Sequence, residues 1–162
     1  MVVLGIDPSF TASGYAIMIQ QGNKQQLLHF GYINLPANKI LSERIALFYD
    51  FFQNIIQKHQ VTRISLETPF LGKNTQTFLK LGYLRGVVHL LVHQHKLEIV
   101  EFSPREIKLA VTGFGGAQKE QVARMIQMLF PAMTEQKSQD VTDAIAISLC
   151  GLWKQSYYSK LD

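Results

Sequence analysis

The feature that most constrains the fold is a change in apolar periodicity after residue 34. Residues 2–34 consist of short apolar segments separated by turn residues, and a turn as short as QGNK joins only antiparallel neighbours. From about residue 39, a helical stripe of apolar residues begins, and strand-like and helical segments then alternate. Such alternation is typical of parallel strands joined by helical connections. The sequence therefore predicts a mixed sheet that starts antiparallel and continues parallel.

The predicted order of elements is βββαβαβααα. One helix start is well marked, because Ser103 is followed by a proline and, three residues later, by a glutamate. This order is found in ribonuclease-H-like folds, so we expect an α/β protein with a five-stranded mixed sheet flanked by helices, in one domain over residues 1–162. The expected strands cover residues 2–6, 14–20, 26–34, 61–67 and 97–102, and the expected helices cover residues 39–59, 75–95, a segment from 104, about 117–129 and about 139–155.

Composition narrows the class of protein. Hydrophobic residues make up 47% of the chain, yet no apolar run reaches the roughly 18 residues that a membrane span needs. The segment MVVLGIDPSF lacks a basic n-region and contains Asp7, so we interpret it as a first strand and expect a cytoplasmic protein. The single cysteine, Cys150, lies in an apolar segment and offers neither an internal disulfide nor a zinc pattern, so it is interpreted as a buried thiol.

Four acidic residues interrupt apolar segments. Asp7 ends the first predicted strand and Glu67 ends the fourth, and in open α/β sheets sites gather at the carboxyl ends of strands. If these two strands are neighbours, the two carboxylates are neighbours as well. Asp140 and Asp143, three residues apart, share one face near the positive end of the last helix. Each acid alone also fits a turn cap, a strand end or a first-turn helix acid, but the four together favour a shared site.

Four converging carboxylates need a cation to neutralise them. Hard oxygen ligands select Mg²⁺ or Mn²⁺. Two such ions, roughly 3.5–4 Å apart, can activate water and stabilise the leaving oxygen of a phosphodiester. The net charge is +4, and many of the lysines and arginines fall between residues 73 and 124, which favours a phosphate-binding surface beside the acids. No Ser-His-Asp or Cys-His arrangement competes for the chemistry.

Four segments of the chain resemble the RuvC family of Holliday-junction resolvases. They are GIDPSFTASGY, ISLETPFLGKNTQTFLKLGYLRG, SPREIKLAVTGFGGAQKEQV and DVTDAIAIS, in the family's order and with its intervals across about residues 4–149. The resemblance implies a ribonuclease-H-like homodimer that makes paired symmetric nicks in four-way DNA junctions during recombination and repair. It also implies Mg²⁺ or Mn²⁺, with two ions per site.

The same resemblance assigns roles to the acids. Asp7, Glu67, Asp140 and Asp143 match the family's metal-binding catalytic residues. One member of the last pair varies within the family, so Asp143 is the firmer match of the two. Lys119 matches a basic residue near the scissile phosphate, where it would neutralise developing negative charge.

Further residues match DNA contacts of the family. Lys108 matches a residue that meets the DNA backbone, and Phe70 matches an aromatic residue that stacks on bases at the opened crossover. Without the family, packing beneath a loop explains Phe70 equally well, and a solvated helix position explains Lys108 and Lys119 better. Lys73, Lys80 and Arg85 complete the expected DNA-binding set.

Partners and alternatives follow from the same reasoning. The helix at 75–95 has more apolar surface than one core-facing stripe requires, and it matches the family's dimer helix. A branch-migration motor complex is a further partner that the sequence leaves open, as it does the base preference. Three alternatives remain: an endonuclease acting also on flaps, forks and three-way junctions; a catalytically silent junction-binding protein; and half of a sugar-kinase- or actin-like phosphotransferase. The last rests on GIDPS alone, and the second Asp-Gly loop that such proteins need is not found in this sequence.

Overall fold

The computed structural model describes residues 1–69, 74–131 and 139–154. Its order of elements confirms the predicted one, with boundaries that differ from the expected ones by two residues or fewer. The elements are β1 (Val2–Asp7), β2 (Ala12–Gln21), β3 (Lys24–Asn34), α1 (Leu41–His59), β4 (Arg63–Glu67), α2 (Thr75–His95), β5 (Glu98–Phe102), α3 (Pro104–Thr112), α4 (Lys119–Leu129) and α5 (Gln139–Trp153).

The five strands form one mixed sheet in the order β3-β2-β1-β4-β5. β1 is antiparallel to β2 and parallel to β4, and β4 is parallel to β5. Ile6 pairs with Leu66, so β1 and β4 end at the same edge of the sheet. The strands that carry Asp7 and Glu67 are therefore adjacent, as the site prediction required.

The two faces of the sheet pack against different helices. On one face, Leu4 and Ile6 of β1 and Leu66 of β4 belong to a core cluster shared with buried residues of α1 and α2. On the other face, Val3 belongs to a second cluster that includes buried residues of α3, α4 and most of α5. Alternate residues of a strand point to opposite faces. The structure thus has three layers, with the sheet in the middle.

Helix α5 lies unusually close to the sheet. A Cβ atom on Gly5 would lie 2.5 Å from the carbonyl oxygen of Ala144, and a Cβ atom on Gly14 would lie 2.1 Å from the carbonyl oxygen of Asp140. Glycine in a strand often marks such an approach by another backbone. These two glycines therefore set how near the acidic end of α5 comes to β1 and β2.

A buried arginine fastens the other end of α5. Arg63, on β4, is 1% exposed, and its Nε and Nη2 atoms donate to Glu98 Oε2 at 2.9 Å and 2.8 Å. Its Nη1 atom donates to the carbonyl oxygens of Gly151 and Lys154. A cation at the carboxyl end of a helix satisfies carbonyl groups that have no partner within the helix. Across the described ranges, no helix combines the length and apolar character that crossing a membrane would take.

Candidate active site

A cleft with an acidic floor opens where β1, β4 and α5 meet; we call it the acidic cleft. Asp7, Glu67 and Asp143 line it, and its volume is about 220 Å³. Helices α3 and α4 form its other wall. The remaining lining residues are Pro104, Ile107, Lys108, Lys119, Val122, Ala146 and Ile147.

Strand alternation explains why the two strand acids face this cleft. Asp7 continues the series of Val3 and Gly5, whose side of β1 faces α5. Glu67 continues the series of Ser65, whose Oγ donates to the carbonyl oxygen of Ile147 in α5 at 2.7 Å. Because side chains two residues apart share a face of a strand, both carboxylates point to the α5 side.

The two acids of α5 lie beside them. Asp143 lines the acidic cleft directly. Asp140 lies against Gly14, because a Cβ atom built on Gly14 would be 3.2 Å from the Cβ atom of Asp140. Gly14 in turn pairs with Asp7 between β2 and β1, so Asp140 lies near Asp7. The structure therefore brings the four predicted acids to one end of the sheet.

The charges of these acids act on one another. The pKa of Asp7 is raised from 3.8 to about 7, first by burial and then by the negative charges of Asp143, Glu67 and Asp140, while Lys119 acts in the opposite direction. Loss of hydration and like charges both disfavour an ionised carboxyl group. Asp7 is therefore the acid on which the neighbouring charges converge.

The pKa of Glu67 is also raised, by burial first and then by the charge of Asp143, while Lys119 and Lys108 lower it. Lys119 Nζ lies 3.3 Å from Asp143 Oδ2, and this carboxylate is the main reason why the pKa of Lys119 is raised. The Lys119 side chain is nevertheless 62% exposed. An ion pair this exposed contributes little stability and is easily exchanged. The ammonium group of Lys119 is therefore available to an anionic ligand.

The chemistry of the donor set fits a hard divalent cation. All four candidate ligands are carboxylates. Burial first, and neighbouring negative charge second, raise the pKa values of Asp7 and Glu67, and a bound cation would offset both effects. Within residues 1–69, 74–131 and 139–154, however, no three acidic, histidine or cysteine side chains are already grouped closely enough to hold one ion. Binding would therefore require the carboxylates to turn toward a common point.

Asp7 and Glu67 also border a second cleft of about 190 Å³, on the other side of the strand ends. Its other lining residues are Pro8, Thr68, Pro69, Phe78, Leu81 and Arg85. The guanidinium of Arg85 is engaged there, because Nη1 donates to the carbonyl oxygen of Glu67 at 2.7 Å and Nη2 forms an ion pair with Glu101 Oε1.

The predicted DNA contacts divide into three groups. Lys108 and Lys119 lie at the acidic cleft, and Arg85 lies at the second cleft. Lys80 is exposed on α2 and lines neither cleft. Phe70 and Lys73 fall outside the residues that the structure describes.

The residue that the sequence reasoning missed is Gly14. It allows the carbonyl oxygen of Asp140 to approach β2, and so it places the start of α5 against Asp7. A signal was present, since Gly14 is an isolated glycine in the strand-like segment GYAIMIQ and such glycines often mark a close backbone approach.

Comparison with known proteins agrees with the resemblance to the RuvC family, both in sequence and in fold. The model of a family described as crossover junction endodeoxyribonuclease RuvC matches residues 3–151. The RuvC protein of Halothermothrix orenii is 39% identical over 150 residues, which cover 93% of this chain and 91% of that protein. The RuvC protein of Chlorobium phaeobacteroides is 43% identical over 152 residues, which cover 94% of this chain and 81% of that protein.

Solved structures of RuvC from Thermus thermophilus share the fold. One has a TM-score of 0.84 at 25% sequence identity and covers 93% of this chain and 92% of its own. Another, in complex with a Holliday junction substrate, has a TM-score of 0.87 at 24% identity and covers 99% of this chain and 96% of its own. The expected ribonuclease-H-like α/β fold is thereby confirmed. With its acids at one sheet edge and its sequence matched over most of its length, the chain belongs to the RuvC family of crossover junction endodeoxyribonucleases.

Proposed function

We propose that the protein resolves four-way DNA junctions by making paired symmetric nicks, as a metal-dependent endonuclease of recombination and repair. The observation that carries this proposal is the acidic cleft, in which Asp7, Glu67 and Asp143 line the same cavity as Lys108 and Lys119. Carboxylates that can hold metal ions, beside lysines whose ammonium groups can bind phosphate oxygens, suit the cleavage of a phosphodiester. Family membership supports the choice of DNA junctions as substrate, as does the Thermus thermophilus complex with a Holliday junction substrate.

The carboxylates would hold the metal. Asp7, Glu67, Asp140 and Asp143 are the proposed ligands for Mg²⁺ or Mn²⁺, with two ions per site. When bound, the ions supply an activated water and stabilise the leaving oxygen. Rigid strand ends present Asp7 and Glu67, which limits the reorganisation that binding requires.

The two lysines would act on the phosphate. Lys119 already forms an ion pair with Asp143 at the edge of the acids. Because its side chain is exposed, its ammonium group can bind a phosphate oxygen of the DNA. There it would neutralise negative charge that develops on the phosphate during attack. Lys108 lines the same cleft and would hold the backbone of the scissile strand.

Cleavage of a mobile four-way junction with and without Mg²⁺ tests the proposal. Asp7→Asn, Glu67→Gln and Asp143→Asn should each abolish cutting but leave junction binding, because each removes a proposed ligand rather than a phosphate contact. Asp50→Asn, which changes an exposed acid of α1, is the matched control and should cut normally. Full activity in any of the three variants would remove that residue from the site. Tight binding without cutting at any divalent metal would leave only a junction-binding protein.

Substrate breadth is a separate question with its own assay. Products from a four-way junction, a three-way junction and a flap should show paired symmetric nicks in the four-way junction alone. Comparable cutting of all three would support the broader branched-DNA endonuclease instead. Junction binding should weaken steeply with added salt, because lysines that contact phosphates release counterions.

The remaining DNA contacts stay predictions. Phe70 would stack on an unpaired base, and Lys73 and Lys80 would follow the phosphate backbone. Arg85 was expected to join them, but its guanidinium is bonded to the Glu67 carbonyl oxygen and to Glu101, so it is not proposed as a phosphate contact. The cytoplasm stays the expected location of the protein. A branch-migration motor complex that presents the junction also stays a prediction of the resemblance.

Helix α2 offers a surface for the proposed homodimer. Leu79, Tyr83 and Leu90 are exposed on it, and they recur at helical spacing with Gly82 and Gly86, at which a Cβ atom would meet nothing within 4 Å. Exposed apolar side chains beside small residues suit the close packing of a second copy of α2. Two-fold pairing would give one acidic cleft for each of the two strands to be cut.

Sedimentation equilibrium tests this surface. Leu79→Glu and Leu90→Glu should shift the protein to monomers, and Leu109→Glu, at an exposed leucine of α3, is the matched control that should remain dimeric. If the wild-type protein is monomeric at concentrations where it makes paired nicks in a junction, the assignment of α2 as the dimer surface is contradicted.

A further inference from the structure

Arg85 is carried by α2 but bonds to the strand end behind the acidic cleft. Its side chain is 13% exposed, far less than expected for a residue that waits for DNA. Nη1 donates to the carbonyl oxygen of Glu67 at 2.7 Å, and Nη2 pairs with Glu101 Oε1. The guanidinium is therefore already engaged by this protein's own groups.

The bond to Glu67 falls where β4 leaves the sheet. Glu67 is the last residue of β4 and pairs with Phe102, and the next backbone N–H, that of Thr68, donates to the carbonyl oxygen of Phe102 at 2.8 Å. Arg85 holds the carbonyl oxygen of Glu67 at this point. The carbonyl group and the side chain of Glu67 are attached to the same Cα atom, so a bond that holds this carbonyl restrains the backbone from which the side chain leaves the strand.

Glu101 holds the other arm of the arginine. It lies on β5 and pairs with Leu66, the residue before Glu67, so the guanidinium spans α2, β4 and β5. A guanidinium is a planar fork whose donors keep their relative direction, which an ammonium group does not. Because the side chain is mostly buried, these bonds are weakened less by water than bonds at the surface.

We propose that Arg85, oriented by Glu101, is a positioning residue that fixes the direction of the Glu67 carboxylate in the acidic cleft. The inference rests on the proposed function, in which Glu67 is a metal ligand. It assigns Arg85 a role that acts through the Glu67 backbone rather than through DNA. Since α2 is also the proposed dimer helix, the same bond links the dimer surface to the metal-binding carboxylates.

Mn²⁺ binding to the protein, measured by calorimetry without DNA, tests the inference. Arg85→Gln should raise the dissociation constant for Mn²⁺ by about tenfold or more, the range seen when a partner that orients a metal ligand is lost. Arg85→Lys should keep part of the affinity, because an ammonium group replaces one bond of the fork. Glu101→Gln should cause a smaller loss in the same direction. Lys58→Gln is the control: it likewise removes one positive charge, but from an exposed position of α1, and it should bind Mn²⁺ as the wild type does.

Junction binding in EDTA separates this role from a DNA contact. All variants should bind a four-way junction as tightly as the wild type, and thermal melting should show them folded. If Arg85→Gln weakens junction binding and keeps wild-type Mn²⁺ affinity, Arg85 is a DNA contact and the inference is wrong. If Arg85→Gln does not fold, Arg85→Lys and Glu101→Gln decide, and wild-type Mn²⁺ affinity in both would overturn it.

Failure of the inference differs from failure of the proposed function. A wild-type protein that binds no Mn²⁺ and cuts no junction would refute both. A wild-type protein that binds Mn²⁺ and cuts junctions, with unchanged Mn²⁺ affinity in the Arg85 and Glu101 variants, would refute the positioning role alone.

Discussion

Replacing Asp7 by asparagine should stabilise the metal-free protein above neutral pH. Burial and the charges of Asp143, Glu67 and Asp140 raise the pKa of Asp7 from 3.8 to about 7, so ionising this carboxyl group works against the folded state. At about 1.36 kcal/mol for each tenfold change in proton affinity, ionised Asp7 lowers the free energy of unfolding by up to about 4 kcal/mol. Asparagine keeps the shape and carries no charge, so the variant avoids this cost.

The sign of the pH dependence follows from the raised pKa. The folded protein holds the Asp7 proton more tightly than the unfolded chain, so its contribution to stability is complete below about pH 3.8 and is lost as the pH rises through about 7. The raised pKa of Glu67 acts in the same direction. The lowered pKa of His59 acts in the opposite direction, because its protonation at lower pH disfavours the folded state. A comparison of Asp7→Asn with the wild type cancels the contribution of His59.

Urea denaturation in EDTA between pH 5 and pH 8.5 measures the effect. The stability advantage of Asp7→Asn should grow with pH and approach the order of 4 kcal/mol at pH 8. Asp50→Asn, at an exposed acid, should differ from the wild type by less than about 0.5 kcal/mol at every pH. Added Mg²⁺ should stabilise the wild type and leave Asp7→Asn unchanged. An Asp7→Asn protein that is no more stable than the wild type at pH 8, or an advantage that does not vary with pH, would refute the reasoning.

Three further substitutions test other parts of the structure. Lys119→Ala should slow junction cutting by about a hundredfold in single-turnover assays and leave binding nearly unchanged, and an unchanged rate would dismiss its role at the phosphate. Gly14→Val should reduce both cutting and Tm, because its Cβ atom would lie 2.1 Å from the carbonyl oxygen of Asp140, and normal melting with normal cutting would show that α5 can move away without consequence. Arg63→Ala should lower the free energy of unfolding by about 3 kcal/mol in urea titrations, since it leaves Glu98 and two carbonyl groups without their cation, and a loss below about 1 kcal/mol would show that water replaces the guanidinium.

The sequence by itself determined the order of the elements and the candidate acids. Periodicity and helix caps are local properties, so the helix start at Ser103 was readable from its neighbours, and its capping box with Glu106 is present in the structure. Asp7 and Glu67 were recognised because each ends an apolar strand, and strand ends are where α/β sheets place their sites.

Only the tertiary structure decided which groups these residues meet. From the sequence, Arg85 is one of the expected DNA contacts. In the structure, its guanidinium donates to the carbonyl oxygen of Glu67 and to the carboxylate of Glu101, which are 18 and 16 residues away in the chain. Gly14 matters because the carbonyl oxygen of Asp140 approaches it from a helix at the far end of the sequence. The physical reason is the same for both: the energy of a charge or of a backbone contact depends on what surrounds it after packing, and spacing along the chain does not contain that information.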